Sequence, residues 1–184
     1  MATIIVTEFV SLDGVMEDPG GSEGFRYGGW TFAFPGEERY GFKAEETFAS
    51  DALLLGRKTY EGFAEAWPSR DGEFADKFNS MPKVVVSTTL EDPEWQNTTV
   101  VRDLDAVRKL KETEDSTYVV HGSAQLVQSL LDADLVDQLN LMVFPVVLGD
   151  GKRLFGPTGD KKQFQLAETR TADDSVLILV YRRS

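Results

Sequence analysis

The amino-acid sequence predicts one α/β domain over residues 1–184, with a mixed, mostly parallel sheet of about eight strands and helices on both faces. Three observations support this fold class. The chain of 184 residues suits a single hydrophobic core. Apolar strand patterns alternate with helical patterns through most of the chain, which indicates parallel strands joined by crossovers. The C-terminal part is rich in strands alone, which indicates an antiparallel hairpin at the end.

The strands are predicted from short runs of apolar and β-branched residues that are bounded by turn residues. They cover residues 3–12, 52–55, 83–87, 98–101, 117–120, 137–144, 163–170 and 175–182. The last strand is apolar at nearly every position, so we expect it to be covered on both faces. A Gly- and Pro-rich loop over residues 17–35 follows the first strand, and loops of that length are usually functional.

Helices are predicted where apolar residues recur every three or four positions. They cover residues 36–50, 57–65, 72–81 and 103–111, and a fifth begins after residue 123. We expect Asp103 to cap the fourth helix, because an Asp side chain accepts the free N–H groups at a helix start. In the fifth helix, Leu126, Val127, Leu130 and Leu131 form one apolar stripe.

The composition excludes several classes of function. The formal net charge of −12 opposes binding to nucleic acid or to an anionic membrane surface. The absence of cysteine removes disulfides, thiolate metal sites and cysteine nucleophiles. His121 is the one histidine, so a zinc site with several histidines is impossible and no metal is expected. The chain has no signal-peptide pattern and no bilayer-spanning apolar run, so we expect a cytoplasmic location.

The strongest candidate site is Gly56-Arg57-Lys58-Thr59, where a predicted strand runs into a helix. Gly56 permits close approach of the backbone to a ligand, and the free N–H groups at a helix start attract an anion. Arg57 and Lys58 add positive charge, and Thr59 adds a hydroxyl group. These residues predict a phosphate site, although a tight turn with two solvated cations fits the spacing equally well.

Two further strand ends carry similar groups. Ser87-Thr88-Thr89 offers hydroxyl groups for a phosphate, while a Ser/Thr turn is the simpler interpretation. His121-Gly122-Ser123-Ala124 joins a strand to a helix whose N–H groups could bind a diphosphate, although the His121 side chain is more simply a structural residue. Three such junctions favour a long ligand with several phosphates, such as a dinucleotide. The G-x-G-x-x-G fingerprint is absent.

Several segments resemble one known family in the same order along the chain. They are Ser11-Leu12-Asp13-Gly14, Leu54-Leu55-Gly56-Arg57-Lys58-Thr59-Tyr60-Glu61, Lys83-Val84-Val85-Val86-Ser87-Thr88-Thr89-Leu90, Gly122-Ser123-Ala124-Gln125-Leu126, Leu135-Val136-Asp137-Gln138-Leu139, and Pro145-Val146-Val147-Leu148-Gly149-Asp150-Gly151 with Leu154-Phe155 after it. These segments look like the dihydrofolate-reductase-like domain, which also forms the C-terminal reductase half of the riboflavin-pathway deaminase-reductase. The resemblance covers nearly the whole chain and implies a three-layer α/β/α fold.

The resemblance also implies a function. Such proteins transfer a hydride from NADPH to a small heterocyclic or carbonyl substrate, as 5-amino-6-(5-phosphoribosylamino)uracil reductase and dihydrofolate reductase do, and a homodimer is implied. The residues that match the cofactor site are Gly56, Arg57, Thr59, Ser87, Thr88, Gly122, Ser123 and Ala124. The residues that match the nicotinamide and substrate end are Ser11, Asp13, Gly14 and the loop Leu148-Gly149-Asp150-Gly151.

The sequence departs from the family pattern at two positions. The family's Gly-rich turn usually begins with two glycines, often joined by a cis peptide, whereas His121 stands first here. A cis bond before a residue other than proline costs about 3–4 kcal/mol, so we expect strain at His121-Gly122. Dihydrofolate reductase also places an acid on its first helix, where Tyr40 stands here, so folate reduction is not expected. The zinc site of the deaminase half needs cysteines, which this chain lacks.

Hydride transfer needs few side chains, because the cofactor carries the reactive group. A proton must still reach the substrate, and Asp13, at the mouth of the first strand, is the candidate donor. Asp13 could equally do no more than make the Asp-Gly turn. Trp30 and Tyr60 are candidates for stacking on a planar substrate, although each could be a core residue.

Two other classes of function stay open. The departures at His121 and on the first helix would suit a nucleotide-binding or regulatory protein that keeps the fold without turnover. A metal-dependent hydrolase could use acidic pairs such as Glu45-Glu46 or Asp173-Asp174, although adjacent acids usually form a solvated face.

Overall fold

The structure is a computed structural model that covers all of residues 1–184. Its strands are β1 Thr3–Ser11, β2 Ala52–Gly56, β3 Lys83–Val86, β4 Thr98–Val101, β5 Thr117–His121, β6 Gln138–Phe144, β7 Phe164–Ala172 and β8 Val176–Arg183. Its α-helices are α1 Glu37–Ala49, α2 Arg57–Ala66, α3 Glu73–Ser80, α4 Leu104–Thr113 and α5 Ala124–Asp132. A short 3₁₀ turn, Trp30–Ala33, lies within the long loop after β1.

All eight strands belong to one sheet in the order β4-β3-β2-β5-β1-β6-β8-β7. The pairs among β1 to β6 are all parallel. β8 pairs antiparallel with both β6 and β7. The predicted mixed sheet with an antiparallel C-terminal hairpin is therefore confirmed. Because the first six strands run the same way, their carboxyl ends meet at one edge, termed here the carboxyl edge.

Helices cover both faces of the sheet. Val6 of β1 and Leu130 of α5 belong to the core of one face, which α4 and α5 cover. On the opposite face, Phe42 of α1 packs with Ile178 of β8, and Phe78 of α3 lies in a second cluster over β2 and β3. None of the helices is both long enough and apolar enough to cross a bilayer.

The β7–β8 hairpin caps α1. Asp173 and Asp174 have φ angles of 52° and 58°, as the two central residues of a type I′ turn require. The Asp173 carboxylate accepts the N–H groups of Glu38 and Arg39 at 3.1 and 3.3 Å, so it supplies the cap that Gly36 lacks. Asp173 thus has structural partners, which speaks against its use as a metal ligand.

Two local expectations have different outcomes. Asp103 accepts the N–H of Ala106 at 2.9 Å and caps α4, as predicted. The expectation that β8 is covered on both faces holds only in part, because Leu177 is 38% exposed while Leu179 and Tyr181 on the same face are partly buried against the core. The edge strand β7 beside β8 is exposed along most of its length.

Candidate functional site

The three predicted phosphate sites lie side by side at the carboxyl edge. Gly56 ends β2, Ser87 follows β3, and Gly122 follows β5. Because the sheet order is β3-β2-β5, these turns occupy neighbouring strand ends. Strands lie about 4.8 Å apart, so the two intervals span roughly 10 Å, a distance that suits a ligand with more than one phosphate.

Hydrogen bonds lock two of these turns together. The N–H of Gly56 donates to Ser123 Oγ at 2.9 Å, and the N–H of Ser123 donates to Thr59 Oγ1 at 2.9 Å. A Cβ atom at Gly122 would lie 3.1 Å from Thr59 Oγ1, so the backbone after β5 passes close to α2. The hydroxyl groups of Ser123 and Thr59 therefore hold the starts of α5 and α2 in a fixed relation.

The helix starts at this edge keep N–H groups for an anion. Neither α2 nor α5 has a side-chain cap, so the N–H groups of their first turns lack that partner. Arg57 and Lys58 open α2 with exposed side chains. The Arg57 guanidinium lies 3.0 Å from the carboxylate of Glu61, one turn further on. This pair is nearly half exposed and therefore weak, so a phosphate could replace Glu61 as the partner of Arg57.

The Ser87 hydroxyl group is already engaged in hydrogen bonds within the protein. Its Oγ accepts the N–H groups of Thr89 and Leu90 at 3.2 and 3.0 Å, which makes the Ser/Thr turn that was the simpler interpretation. Thr88 is exposed at this end of the edge. Arg102, which sequence reasoning missed, donates to the carbonyl groups of Ser87 and Leu90 at 3.0 and 2.9 Å. Arg102 follows β4 directly and adds a cation beside Ser87. Its position between a predicted strand and the predicted cap Asp103 was the signal that could have indicated it.

The turn after β5 is left-handed at two successive residues. Gly122 has a φ of 57°, and Ser123 has a φ of 59°. A left-handed residue other than glycine is uncommon and costs on the order of 1 kcal/mol or more. The chain has no cis peptide bond, so the strained residue is Ser123 rather than the expected His121-Gly122 bond.

The His121 side chain points into the protein. Its ring meets the ring of Phe78 edge-on, with 5.7 Å between the centroids, and Thr7 is its neighbour across the β1–β5 ladder. Burial lowers the pKa of His121 well below its ordinary value, and the nearby Lys43 lowers it further. Its Nε2 atom is enclosed without a hydrogen-bond partner. The imidazole is therefore neutral, which supports the structural interpretation of this side chain.

Asp13 organises the turn after β1. Its carboxylate accepts the Ser11 hydroxyl at 2.7 Å and the N–H groups of Leu148 and Gly149 at 3.1 and 2.9 Å. The Ser11 and Gly149 hydrogen bonds lower the pKa of Asp13 to about 2. Such a carboxylate has no proton to give at neutral pH, which supports the alternative that Asp13 shapes the Asp-Gly turn, where Gly14 has a φ of 79°. The same contacts bring the predicted substrate-end residues together beside β1 and β6.

Trp30 and Tyr60 lie in the core. Trp30 Nε1 donates to the Glu17 carbonyl at 2.8 Å, and its ring packs edge-on against Phe144. Tyr60 is 3% exposed, and its hydroxyl oxygen accepts the N–H of Trp95 at 3.0 Å. These contacts favour the core interpretation of both residues, and their stacking on a substrate stays a prediction.

Helix α1 does bring an acid to the sheet, but this acid is Glu46 and does not stand at the position of Tyr40. Glu46 accepts hydrogen bonds from Thr7 Oγ1 at 2.8 Å and from Asn140 Nδ2, and it lies 3.4 Å from Lys43 Nζ. Tyr40, the residue compared in the sequence, is half exposed. Both Glu46 oxygens are engaged, so this acid holds α1 against β1 and β6.

Sequence reasoning also missed Glu8, an acid within the apolar strand β1. The residue is 5% exposed, and its Oε1 atom has no hydrogen-bond partner. Burial raises the pKa of Glu8 well above the ordinary value, although Lys43 and the backbone N–H of Gly122 oppose this rise. A single acid inside an otherwise apolar strand was the signal that could have drawn attention to it.

Comparisons with known proteins identify the family of the chain. The family model described as the RibD C-terminal domain matches residues 2–178. The uncharacterized protein YyaP of Bacillus subtilis (strain 168) is 29% identical over 137 residues, which are 71% of this chain and 73% of YyaP. The uncharacterized protein YwjB of the same organism is 28% identical over 171 residues, which are 91% of this chain and 90% of YwjB.

Solved structures share the fold. A protein assigned to riboflavin biosynthesis in Shewanella sp. PV-4 has a TM-score of 0.77 at 24% identity, over 99% of both chains. The dihydrofolate reductase of Enterococcus faecalis, in complex with NADP(H) and RAB-propyl, has a TM-score of 0.65 at 14% identity, over 99% of this chain and 96% of that one. A pyrimidine reductase-like protein of Corynebacterium diphtheriae has a TM-score of 0.66 at 11% identity, over 99% and 92% of the two chains. The dihydrofolate-reductase-like fold is thus confirmed, and the chain belongs to the RibD C-terminal domain family.

Proposed function

We propose that the protein is an NADPH-dependent reductase that transfers a hydride to a small heterocyclic or carbonyl substrate. The observation that carries this proposal is the row of turns at Gly56, Ser87 and Gly122, on neighbouring strands of one edge. Open α/β sheets bind nucleotides at such an edge, beyond the carboxyl ends of the strands. The dihydrofolate reductase of the same fold was solved with NADP(H), which supports this class of cofactor.

The residues at the carboxyl edge fit a dinucleotide. The uncapped starts of α2 and α5 offer N–H groups to a diphosphate. Gly56 and Gly122 carry no side chain, which lets these turns pack closely against Ser123 and Thr59. Arg57, Lys58 and Arg102 add three positive charges to this edge of a chain whose net charge is −12. The bound cofactor would supply the hydride, and these residues would hold its phosphates.

A preference for NADPH over NADH follows from the position of Arg102. Its guanidinium is anchored on the carbonyl groups of Ser87 and Leu90, beside the exposed Thr88. This cation stands at the outer end of the row of turns, next to β4. An additional phosphate at the adenosine end of a dinucleotide would therefore meet a positive charge there.

The substrate would bind at the other end of the row, beside β1 and β6. There Asp13 joins the turn after β1 to the N–H groups of Leu148 and Gly149. Ser11 and Gly14 belong to the same turn. Structural neighbours of the chain are a riboflavin biosynthesis protein and a pyrimidine reductase-like protein, which favours a pyrimidine of the riboflavin pathway among the heterocycles to be tried.

Calorimetric titration with NADPH and with NADH tests this proposal. Wild-type protein is expected to bind both, and NADPH more tightly. Replacing Arg57 by Ala is expected to weaken NADPH binding by about 1.5–3 kcal/mol, because a charged hydrogen bond is lost. Arg182→Ala is the matched control, since it removes the same charge where β8 pairs with the start of β6, at the opposite edge. Unchanged affinity in Arg57→Ala, or an equal loss in Arg182→Ala, would remove this site assignment.

A nucleotide-binding protein without turnover is the second candidate. Two observations favour it: Glu46, the acid that α1 brings to the sheet, is fully engaged by the protein, and Asp13 is ionised at neutral pH. This candidate predicts cofactor binding without NADPH oxidation across a panel of pterins, pyrimidines and carbonyl compounds. Clear turnover of any of them would end it.

A homodimer in the cytoplasm completes the proposal. The partly covered face of β7 and β8 carries the exposed side chains of Leu166 and Leu177, which a second copy could bury. A chain without cysteine also suits a reducing compartment. Light scattering at micromolar concentration tests the dimer, and a monomeric mass would contradict it.

A further inference from the structure

We propose that Glu8 is the proton donor of the site. This inference rests on the proposed function, because a donor is needed only where a hydride is transferred to a substrate. It fills the role that Asp13, ionised by its three hydrogen bonds, cannot take.

Glu8 lies just beyond the point where the pairing between β1 and β5 ends. The last residues that pair in this ladder are Thr7 and His121. Beyond them β5 ends and turns at Gly122, whose N–H interacts with the Glu8 carboxyl group. β1 continues alongside β6 as far as Ser11. The Glu8 side chain therefore stands at the fork between the turn after β5 and the far end of β1.

This fork is the next position along the row of phosphate-binding turns. Those turns follow β3, β2 and β5, and β1 is the neighbour of β5 in the sheet. The chain leaves β1 toward α1 on one face and leaves β5 toward α5 on the other face. Strand ends whose connections leave to opposite faces form a crevice for a ligand. A dinucleotide whose phosphates occupy the three turns thus extends its reactive end to β1, at Glu8.

The bonding of Glu8 differs from that of the other acid buried near β1. Glu46 receives hydrogen bonds from Thr7 and Asn140 and a salt bridge from Lys43. Glu8 is equally enclosed, yet its Oε1 atom has no partner in the protein. Buried polar atoms are nearly always paired, so an unpaired carboxyl oxygen beside a ligand crevice indicates a group whose partner is the ligand.

Burial, rather than the charges around Glu8, favours a carboxyl group that keeps its proton. Lys43 and Glu46 both act on it from α1, and Lys43 lowers the pKa of Glu8 more than Glu46 raises it. His121 on β5 is neutral, and the neighbour of Glu8 on β6 is the apolar Leu141. Burial is the dominant influence and raises the pKa of Glu8 well above its ordinary value. Burial therefore favours the protonated form of Glu8.

This proton balances the reduction of a C=N or C=O bond. The carbon of that bond accepts the hydride from the reduced cofactor, and its π electron pair moves to the nitrogen or oxygen. The Glu8 O–H bond breaks, and its proton goes to that nitrogen or oxygen. Glu8 remains as a carboxylate near the cationic ring of the oxidised cofactor, which stabilises the negative charge until water returns a proton.

The experiment counts the protons released when each form of the cofactor binds. Calorimetry is done at pH 7 in two buffers that differ in ionisation enthalpy. Both cofactor forms carry the same phosphates, so the difference between them isolates the charge of the ring. Wild-type protein is expected to release about one proton more with NADP⁺ than with NADPH, because the cationic ring favours the ionised form of Glu8. Glu8→Gln keeps the shape of the side chain and is expected to abolish the difference, whereas the exposed acid variant Glu65→Gln keeps it.

Infrared spectroscopy of the wild-type protein gives a second readout that needs no variant. The carbonyl band of a protonated carboxylic acid is expected in the free protein and with NADPH, and it should disappear with NADP⁺. Its absence from the free protein, or equal proton release by wild type and Glu8→Gln, would overturn the assignment while leaving cofactor binding intact. If wild-type protein binds neither NADPH nor NADP⁺, the proposed function fails and the assignment of Glu8 fails with it.

Discussion

The buried carboxyl group of Glu8 predicts a pH-dependent cost in stability that Glu8→Gln should remove. In the unfolded chain this side chain ionises near its ordinary pKa of 4.5, whereas burial raises the pKa in the folded protein. The favourable contribution of the protonated group is complete below pH 4.5 and is lost as pH rises toward the folded pKa. Within that window, each pH unit lowers the free energy of unfolding of wild type by about 1.4 kcal/mol relative to Glu8→Gln.

Urea unfolding followed by tryptophan fluorescence measures this difference at half-unit steps from pH 4.5 to pH 8. The slope of the free energy against urea concentration should be the same for both proteins, because the substitution does not change the surface exposed on unfolding. Glu65→Gln, which replaces an exposed acid on α2, is the control and should follow wild type at every pH. Parallel pH profiles for wild type and Glu8→Gln would refute the reasoning, since they would mean that the native carboxyl group ionises as it does in the unfolded chain.

Three further substitutions test other parts of the structure. Burial lowers the pKa of His121 in the folded protein. The free energy of unfolding of wild type should therefore fall by up to about 1.4 kcal/mol per pH unit, relative to His121→Asn, as pH falls below 6.5. A difference in urea unfolding that stays constant with pH would contradict this. Asp103→Ala should lower the free energy of unfolding by about 0.5–2 kcal/mol, because the hydrogen bond that Asp103 accepts from the Ala106 N–H is lost. An unchanged urea midpoint would show that this cap does not stabilise the protein. Gly122→Ala should destabilise the protein by about 1 kcal/mol or more and weaken NADPH binding, because its φ is positive and Thr59 crowds its Cβ. Gly41→Ala is its control and should stabilise by about 0.5–1 kcal/mol, because Gly41 lies inside α1 with open space around it.

The fold was predictable because local patterns and chain connectivity agree. Alternating strand and helix patterns require parallel strands, and parallel strands bring the ends of β2, β3 and β5 to one edge. The cap at Asp103 was readable because it depends only on residues within one turn. The exposure of Leu177 on β8 could not be predicted, because an apolar residue in a strand gives the same sequence pattern whether a helix or solvent contacts it.

The site was less predictable because its side chains depend on partners far away in the sequence. Ser87 offers a hydroxyl in the sequence, but local backbone N–H groups use it in the structure. Tyr60 falls in a candidate motif, yet its hydroxyl bonds to Trp95, on a loop 35 residues away. Glu8 and Arg102 carry no motif, and their roles depend on which strand ends lie beside them in the sheet order.

The central claim is that neighbouring strand ends form one binding groove for a dinucleotide, and an NMR titration tests it most directly. Backbone amide signals of ¹⁵N-labelled protein are followed as NADPH is added. A single groove predicts saturable shifts, with one dissociation constant, at Gly56 to Thr59, at Thr88, at Arg102 and at Gly122 to Ala124. Shifts confined to one of these turns, or centred on a surface away from the carboxyl edge, would contradict it.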